Sequence, residues 1–215
     1  MLPSSGTQKA LQTLAILALL LPSCGRAQPG ETAPAPIFTF DSSGATPVLT
    51  AEFRPGMTMQ KIQFEVFGDG RVIVTIRNAG GAGEVLARDE IRVAPERIEQ
   101  TLDRAIRAGI GDFDNKAVEA ELHAAGRFPR LPTDLGSVAL TLHLETYQRT
   151  GEAAQLPYVH SIVVTEPRAM AKALPDVHEY QALASLVEFL DECYRTATVS
   201  KKTGPGTRQP PASTP

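Results

Sequence analysis

From Ile37 onward the hydrophobic pattern twice changes from a two-residue alternation to a helical repeat. The first alternating group opens with the apolar-aromatic segment Ile37-Phe38-Thr39-Phe40. It continues with Lys61 to Val66, where successive side chains point to opposite sides, so Ile62, Phe64 and Val66 share one face. Gly68-Asp69-Gly70 then predicts a tight hairpin, because glycine accepts the positive φ that such a reversal requires. On the return, Val72, Val74 and Ile76 point one way and Ile73, Thr75 and Arg77 the other. A looser turn at Asn78 to Gly83 leads to a third strand from Val85 to Val93, giving three antiparallel strands of one sheet. The period then becomes helical: Ile98, Leu102, Ala105 and Ile106 predict a helix over Pro95 to Ala108, stopped by Gly109 and Gly111.

The second group repeats the layout. Val138, Leu140, Leu142 and Leu144 alternate with polar or small residues, a half-buried strand. A turn near Arg149 to Glu152 and a return strand from Tyr158 to Val164 complete a second hairpin. Asp176 is expected to cap the last helix, with Glu179 at the capping-box position. Val177, Tyr180, Leu183, Leu186, Val187 and Leu190 form its apolar stripe. The pattern predicts an α+β fold: an antiparallel sheet built from two hairpin-containing strand groups, each followed by a helix, with both helices on one face.

Upstream, Lys9 precedes an apolar run from Leu11 to Leu21, and Leu21-Pro22-Ser23-Cys24 follows. The run is shorter than the roughly 20 residues needed to cross a bilayer and fits an export signal over residues 1–27. Two processing routes are open: acylation of Cys24 at a lipobox-like site, or cleavage after Ala27. The expected location is therefore the bacterial cell envelope, lipid-anchored through Cys24, or the periplasm or extracellular space. Residues 28–36 are a Pro/Ala-rich spacer, 37–198 a single domain, and 199–215 a tail without apolar periodicity that is expected to be disordered.

A formal net charge of −3 without a basic stripe argues against nucleic acid as a partner. Cys193 is the only cysteine besides Cys24 and, at the end of an apolar helical pattern, reads as a small core residue.

Candidate chemistry is sparse. Gly111-Asp112-Phe113-Asp114-Asn115-Lys116 begins like a calcium loop, but Lys116 and Ala117 stand where that pattern needs an oxygen ligand and a glycine. A helix-terminating loop explains these residues better. In the second hairpin, a register keeping Val159 and Val163 on the face of Leu144 and Leu140 sets His143 opposite His160, with Glu145 two residues along. That would allow a zinc-type site or a small hydrolase site. Gly136-Ser137-Val138-Ala139 lacks a nucleophile elbow, and there is no glycine-rich phosphate cradle. No cofactor is implied, and a catalytic role is not favoured.

The segment Phe64 to Val72, the helix exit Ala108-Gly109-Ile110-Gly111-Asp112-Phe113 and the stretch Thr133-Asp134-Leu135-Gly136-Ser137-Val138 resemble an uncharacterised family of exported bacterial domains, many of them lipoproteins. The resemblance spans Ile37 to Tyr194 and implies an exported domain, with no functional residue to carry over. The chain departs from the family in having no tryptophan. In layout it also resembles emfourin-type inhibitors of thermolysin-like metalloproteases, which implies a binding role through a loop such as Asn78 to Gly83 or Gly126 to Gly136. The leading expectation is a non-catalytic envelope domain that contacts a partner protein or envelope component. Phe67, Ile73, Tyr158 and Ile162 are its expected partner patch, since alternation puts Ile73 and Ile162 on the solvated sheet face.

Overall fold

The computed structural model describes residues 35–54, 56, 60–80, 83–131, 136–149 and 151–202. The leader, Cys24, most of the spacer, the tail beyond Lys202 and parts of both loops named above lie outside the described residues. In chain order the elements are β1 (Ile37–Thr39), β2 (Pro47–Arg54), β3 (Gln60–Phe67), β4 (Arg71–Asn78) and β5 (Val85–Arg92). Helix α1 (Pro95–Arg107), a single 3-10 turn (Ile110–Asp112) and α2 (Asn115–Ala124) follow. The chain continues with β6 (Ser137–Leu144), β7 (Thr146–Gln148), β8 (Tyr158–Thr165), α3 (Pro167–Ala173) and α4 (His178–Lys202).

Six strands form one antiparallel sheet in the order β5-β4-β3-β2-β6-β8, and β1 pairs with β7 in a small second sheet. The expected α+β class holds, with the helices packed on one face. Gly70, at φ +92°, closes the β3–β4 hairpin with its N–H on the Phe67 carbonyl at 3.1 Å. Leu49, Phe64, Val66, Val72, Val74, Leu140 and Leu142 bury the covered face against Ile98, Leu102, Leu183, Leu186 and Leu190. Each such side chain fully removed from water stabilises the fold by about 1.5–3 kcal/mol.

Several expectations need correction. Strand β2 fills the centre of the sheet, where its weak pattern (Leu49, Ala51, Phe53) had predicted nothing. After β6 the chain does not turn straight into the return strand: Thr146 to Gln148 first leaves to pair with β1. Asp176 does not cap α4, which begins at His178; its carboxylate instead binds Arg127 Nη2 at 2.8 and 2.6 Å. The last helix also runs through Lys202, past the expected start of the tail at residue 199.

The β6–β8 register is the consequential difference. Leu142 faces His160, His143 faces Val159 and Leu140 faces Ile162, one residue away from the expected pairing. A one-residue slip exchanges the two faces of a strand. The sequence of β8 is apolar at both parities, and the pairing adopted buries the bulkier set, Ile162 and Val164, while leaving Val159 and Val163 exposed.

Candidate functional site: the open face of the sheet

Helices cover one face of the six-stranded sheet, so the alternate residues of every strand form a second, open face. Strand pairing orders these residues into rows across the sheet. One row runs Arg88, Thr75, Gln63, Glu52, Ala139, Val163; the next runs Glu90, Ile73, Glu65, Thr50, Thr141, Ser161. The rows divide by charge. Strands β5, β3 and β2 supply Arg88, Glu90, Glu65 and Glu52, whereas β6 and β8 supply no charged side chain.

On the charged half the side chains hold one another. Arg77 Nε donates to Gln63 Oε1 at 2.9 Å, and Gln63 Nε2 donates to Glu52 Oε2 at 3.1 Å. Glu52 Oε1 takes Arg54 Nε at 2.5 Å, with Lys61 Nζ 3.7 Å away. Burial works to raise the Glu52 carboxyl, but the bonds from Arg54 and Gln63 and the nearby cations outweigh it and hold it below its ordinary value. Arg88 lies 3.8 Å from Glu65. Glu52, Gln63, Glu65, Arg77 and Arg88 line a shallow groove of about 500 Å³ that reaches Ala139 and Thr141.

The other half carries no formal charge. Strand β6 contributes Ser137, Ala139, Thr141 and His143, and β8 contributes Val159, Ser161, Val163 and Thr165. Thr141 and Ser161 share a hydrogen bond at 3.0 Å across the pair. Val159 and Val163 are 58% and 60% exposed, two β-branched side chains standing on the same face of an edge strand. Burial lowers the pKa of His143, which favours its neutral form here.

The other predicted site residues are dispersed. His160 lies on the helix-facing side of β8, where Nε2 meets the Phe113 carbonyl at 3.2 Å, so the two imidazoles occupy opposite faces of the sheet. Glu145 follows β6 and takes no part with either; its N–H donates to the Thr39 carbonyl at 2.9 Å. Among the described residues no group of three or more His, Cys, Asp and Glu side chains is close enough to hold a metal ion. The pairing inferred for a His/His/Glu site thus does not occur, because the register that would create it would expose Ile162 and Val164.

The four residues expected to form a patch are likewise not an exposed surface. Ile162 is 3% exposed and sits in the core. Ile73 does lie on the open face, between Glu65 and Glu90, but is only 6% exposed. Phe67 is covered by the Arg71 guanidinium, 4.0 Å above its ring. Tyr158 stacks on Tyr147 at 4.5 Å between ring centroids and donates its hydroxyl proton to the Gly111 carbonyl. The signal that would have found the uncharged half is the charge-free outer parity of both strands, Ser137-Ala139-Thr141-His143 and Val159-Ser161-Val163-Thr165.

A second polar cluster, formed by Asp112, Tyr147, Arg149 and Tyr158, was not anticipated. Asp112 accepts from Tyr147 and pairs with Arg149, and burial followed by the Asp112 bond pushes the Tyr147 phenol well above its ordinary value. Its hydrogen bonds fasten the 3-10 turn to the small sheet. Comparison with protein-family models and with curated proteins gives no match for this chain.

Proposed function

We propose that the protein is an exported, non-catalytic interaction domain that docks a partner protein of the cell envelope on the β6–β8 half of its open sheet face. The observation that carries this reading is the juxtaposition of Val159 and Val163 with a charge-free Ser/Thr/Ala surface, bordered by the charged half. Interface centres are depleted of charged side chains while their rims are polar. Desolvating Thr141, Ser161 and Val163 costs far less than desolvating Glu52 or Arg88, whose charges would need replacement partners. The Leu11–Leu21 run and Ser23-Cys24 support delivery to the envelope, with Cys24 as the membrane anchor when acylated.

Photo-crosslinking in native envelopes tests this reading. A crosslinking residue at position 163 or 161 should yield a discrete adduct, and the same residue at 121, on α2, should not. The adduct at 163 should disappear in an Ala139→Arg background whose thermal melt is unchanged. Equal adducts from both faces, or none from 161 and 163, would reject the docking surface.

A further inference from the structure

The two edges of the large sheet are treated differently. Along β8, the Asn115 side-chain amide donates to the Val163 carbonyl at 3.0 Å, and α2 packs against the strand. Among the described residues strand β5, the opposite edge, pairs with β4 alone. The Val93 N–H donates to the Gly70 carbonyl at 2.8 Å, and the register continues from that pair through Ile91↔Val72 and Asp89↔Val74. In an antiparallel ladder the direction of the backbone groups alternates along the strand. Ala87, Asp89, Ile91 and Val93 therefore direct their N–H and C=O groups to β4, and Arg88, Glu90 and Arg92 direct theirs outward; the register shifts at Leu86, between Ile76↔Ala87 and Arg77↔Val85.

The outward positions carry an ordered set of side chains on the open face. Arg88 is loosely paired with Glu65 at 3.8 Å and Arg92 with Asp69 at 3.4 Å, whereas Glu90, between them, makes no ion pair among the described residues. Val85 and Leu86 at the start of the strand are 46% and 45% exposed. A long edge with free backbone groups is a template for another strand.

We propose that β5 pairs antiparallel with β5 of a second copy of this chain, about a twofold axis at Asp89, joining the two sheets into one. In that register Arg88 faces Glu90 of the partner subunit. On the helix side Ala87 faces the partner's Ile91. The outward backbone groups become hydrogen-bonded pairs, and twofold symmetry forms every contact twice. Centring on Glu90 would instead oppose like charges at Arg88 to Arg92 and at Glu90 to itself, which is unfavourable. The twofold axis sets Asp89 opposite Asp89 of the partner subunit.

Sedimentation and light scattering on the purified chain should give a dimer at micromolar concentration. Glu90→Arg should raise the dissociation constant at least tenfold, and the exchange Arg88→Glu/Glu90→Arg should restore the dimer. The register has its own readout. Asp89→Cys places two thiols at a non-hydrogen-bonded position, where Cα atoms stand about 4.5 Å apart, within disulfide reach. It should form a reducible dimer under mild oxidation, while Ile91→Cys should not. A monomeric wild-type chain, a dimer indifferent to Glu90→Arg, or crosslinking through position 91 in place of 89 would overturn the proposal. Neither result bears on docking at β6–β8, which uses the open face of the other half of the sheet.

Discussion

Tyr147 donates its phenol proton to Asp112 Oδ2 at 2.5 Å, while Asp112 Oδ1 receives Arg149 Nη2 at 2.5 Å. One carboxylate thus joins the 3-10 turn after α1 to the small β1–β7 sheet. A hydrogen bond to a charged group contributes about 1.5–3 kcal/mol, and the Tyr147 ring is almost fully buried. Tyr147→Phe should therefore lower unfolding free energy by about 1–2 kcal/mol, since Arg149 still satisfies Asp112. Urea denaturation checks this, and a loss below the error of the fit would show that the bond adds nothing to stability.

Helix α2 depends on its first residues more than on its packing, because Leu122 is its one fully buried side chain. Asp114 Oδ1 accepts from the Lys116 and Ala117 N–H groups at 3.0 and 3.1 Å. Asp114→Ala should cost about 1 kcal/mol, and Asp114→Asn less. Amide hydrogen exchange should localise the loss to α2 and its contact with β8; uniform loss across the sheet would contradict a local role.

Five strands of the large sheet and the two long helices were legible because Phe64-Val66, Val72-Val74, Leu140-Leu142 and Leu183-Leu190 carry clean periods that only one face can bury, whereas the central strand β2 was not. Helices α2 and α3 were not, since each is short and joins the core through few residues, Leu122 in one and Met170 and Ala171 in the other. The capping residue Asp114 was visible, yet the same Asp-Asn pair also suits a turn. For the site the obstacle was register. Tyr158 to Thr165 is apolar at both parities, so the sequence does not say whether Val159 or His160 faces solvent. The covered side of the sheet decides it.

Glu52 is held in its charged form by Arg54 and Gln63, so its carboxyl titrates below its ordinary value. A lowered folded-state pKa gives stability that is complete above the ordinary carboxyl value of about 4.3 and is lost as pH falls through the folded value. Glu52→Gln should therefore flatten the acid limb of the stability profile while changing stability at neutral pH by less than about 1 kcal/mol, as partial exposure screens the pair. Melting temperatures between neutral pH and the acid limb distinguish this from an uncoupled carboxylate, for which wild type and variant would run parallel.

Burial pushes the Cys193 thiol up to about 11. At 3% exposure on α4, the thiol stays protonated at neutral pH and should resist alkylation until the chain unfolds. A raised folded-state pKa has the opposite sign from Glu52: its contribution is complete below the ordinary thiol range and is lost as pH rises towards about 11. Cys193→Ala should remove that alkaline loss. Rapid labelling of native Cys193 by iodoacetamide would contradict its burial.

Gly111 is required by space. A Cβ there would come within 2.7 Å of the Tyr147 Cζ and Oη atoms, closer than side chains pack. Gly111→Ala must displace either the 3-10 turn or the Tyr147 ring, and overpacking of this kind costs about 1–3 kcal/mol. The Tyr147 hydroxyl would then also leave Asp112, coupling the two losses. If the ring is the obstacle, Gly111→Ala should cost less in a Tyr147→Leu background than in the wild type, a coupling that a double-mutant cycle reads directly. Additive losses would locate the strain in the backbone of the turn, whereas Gly126→Ala, whose Cβ meets nothing within 4 Å, should show only the cost of its φ of +64°.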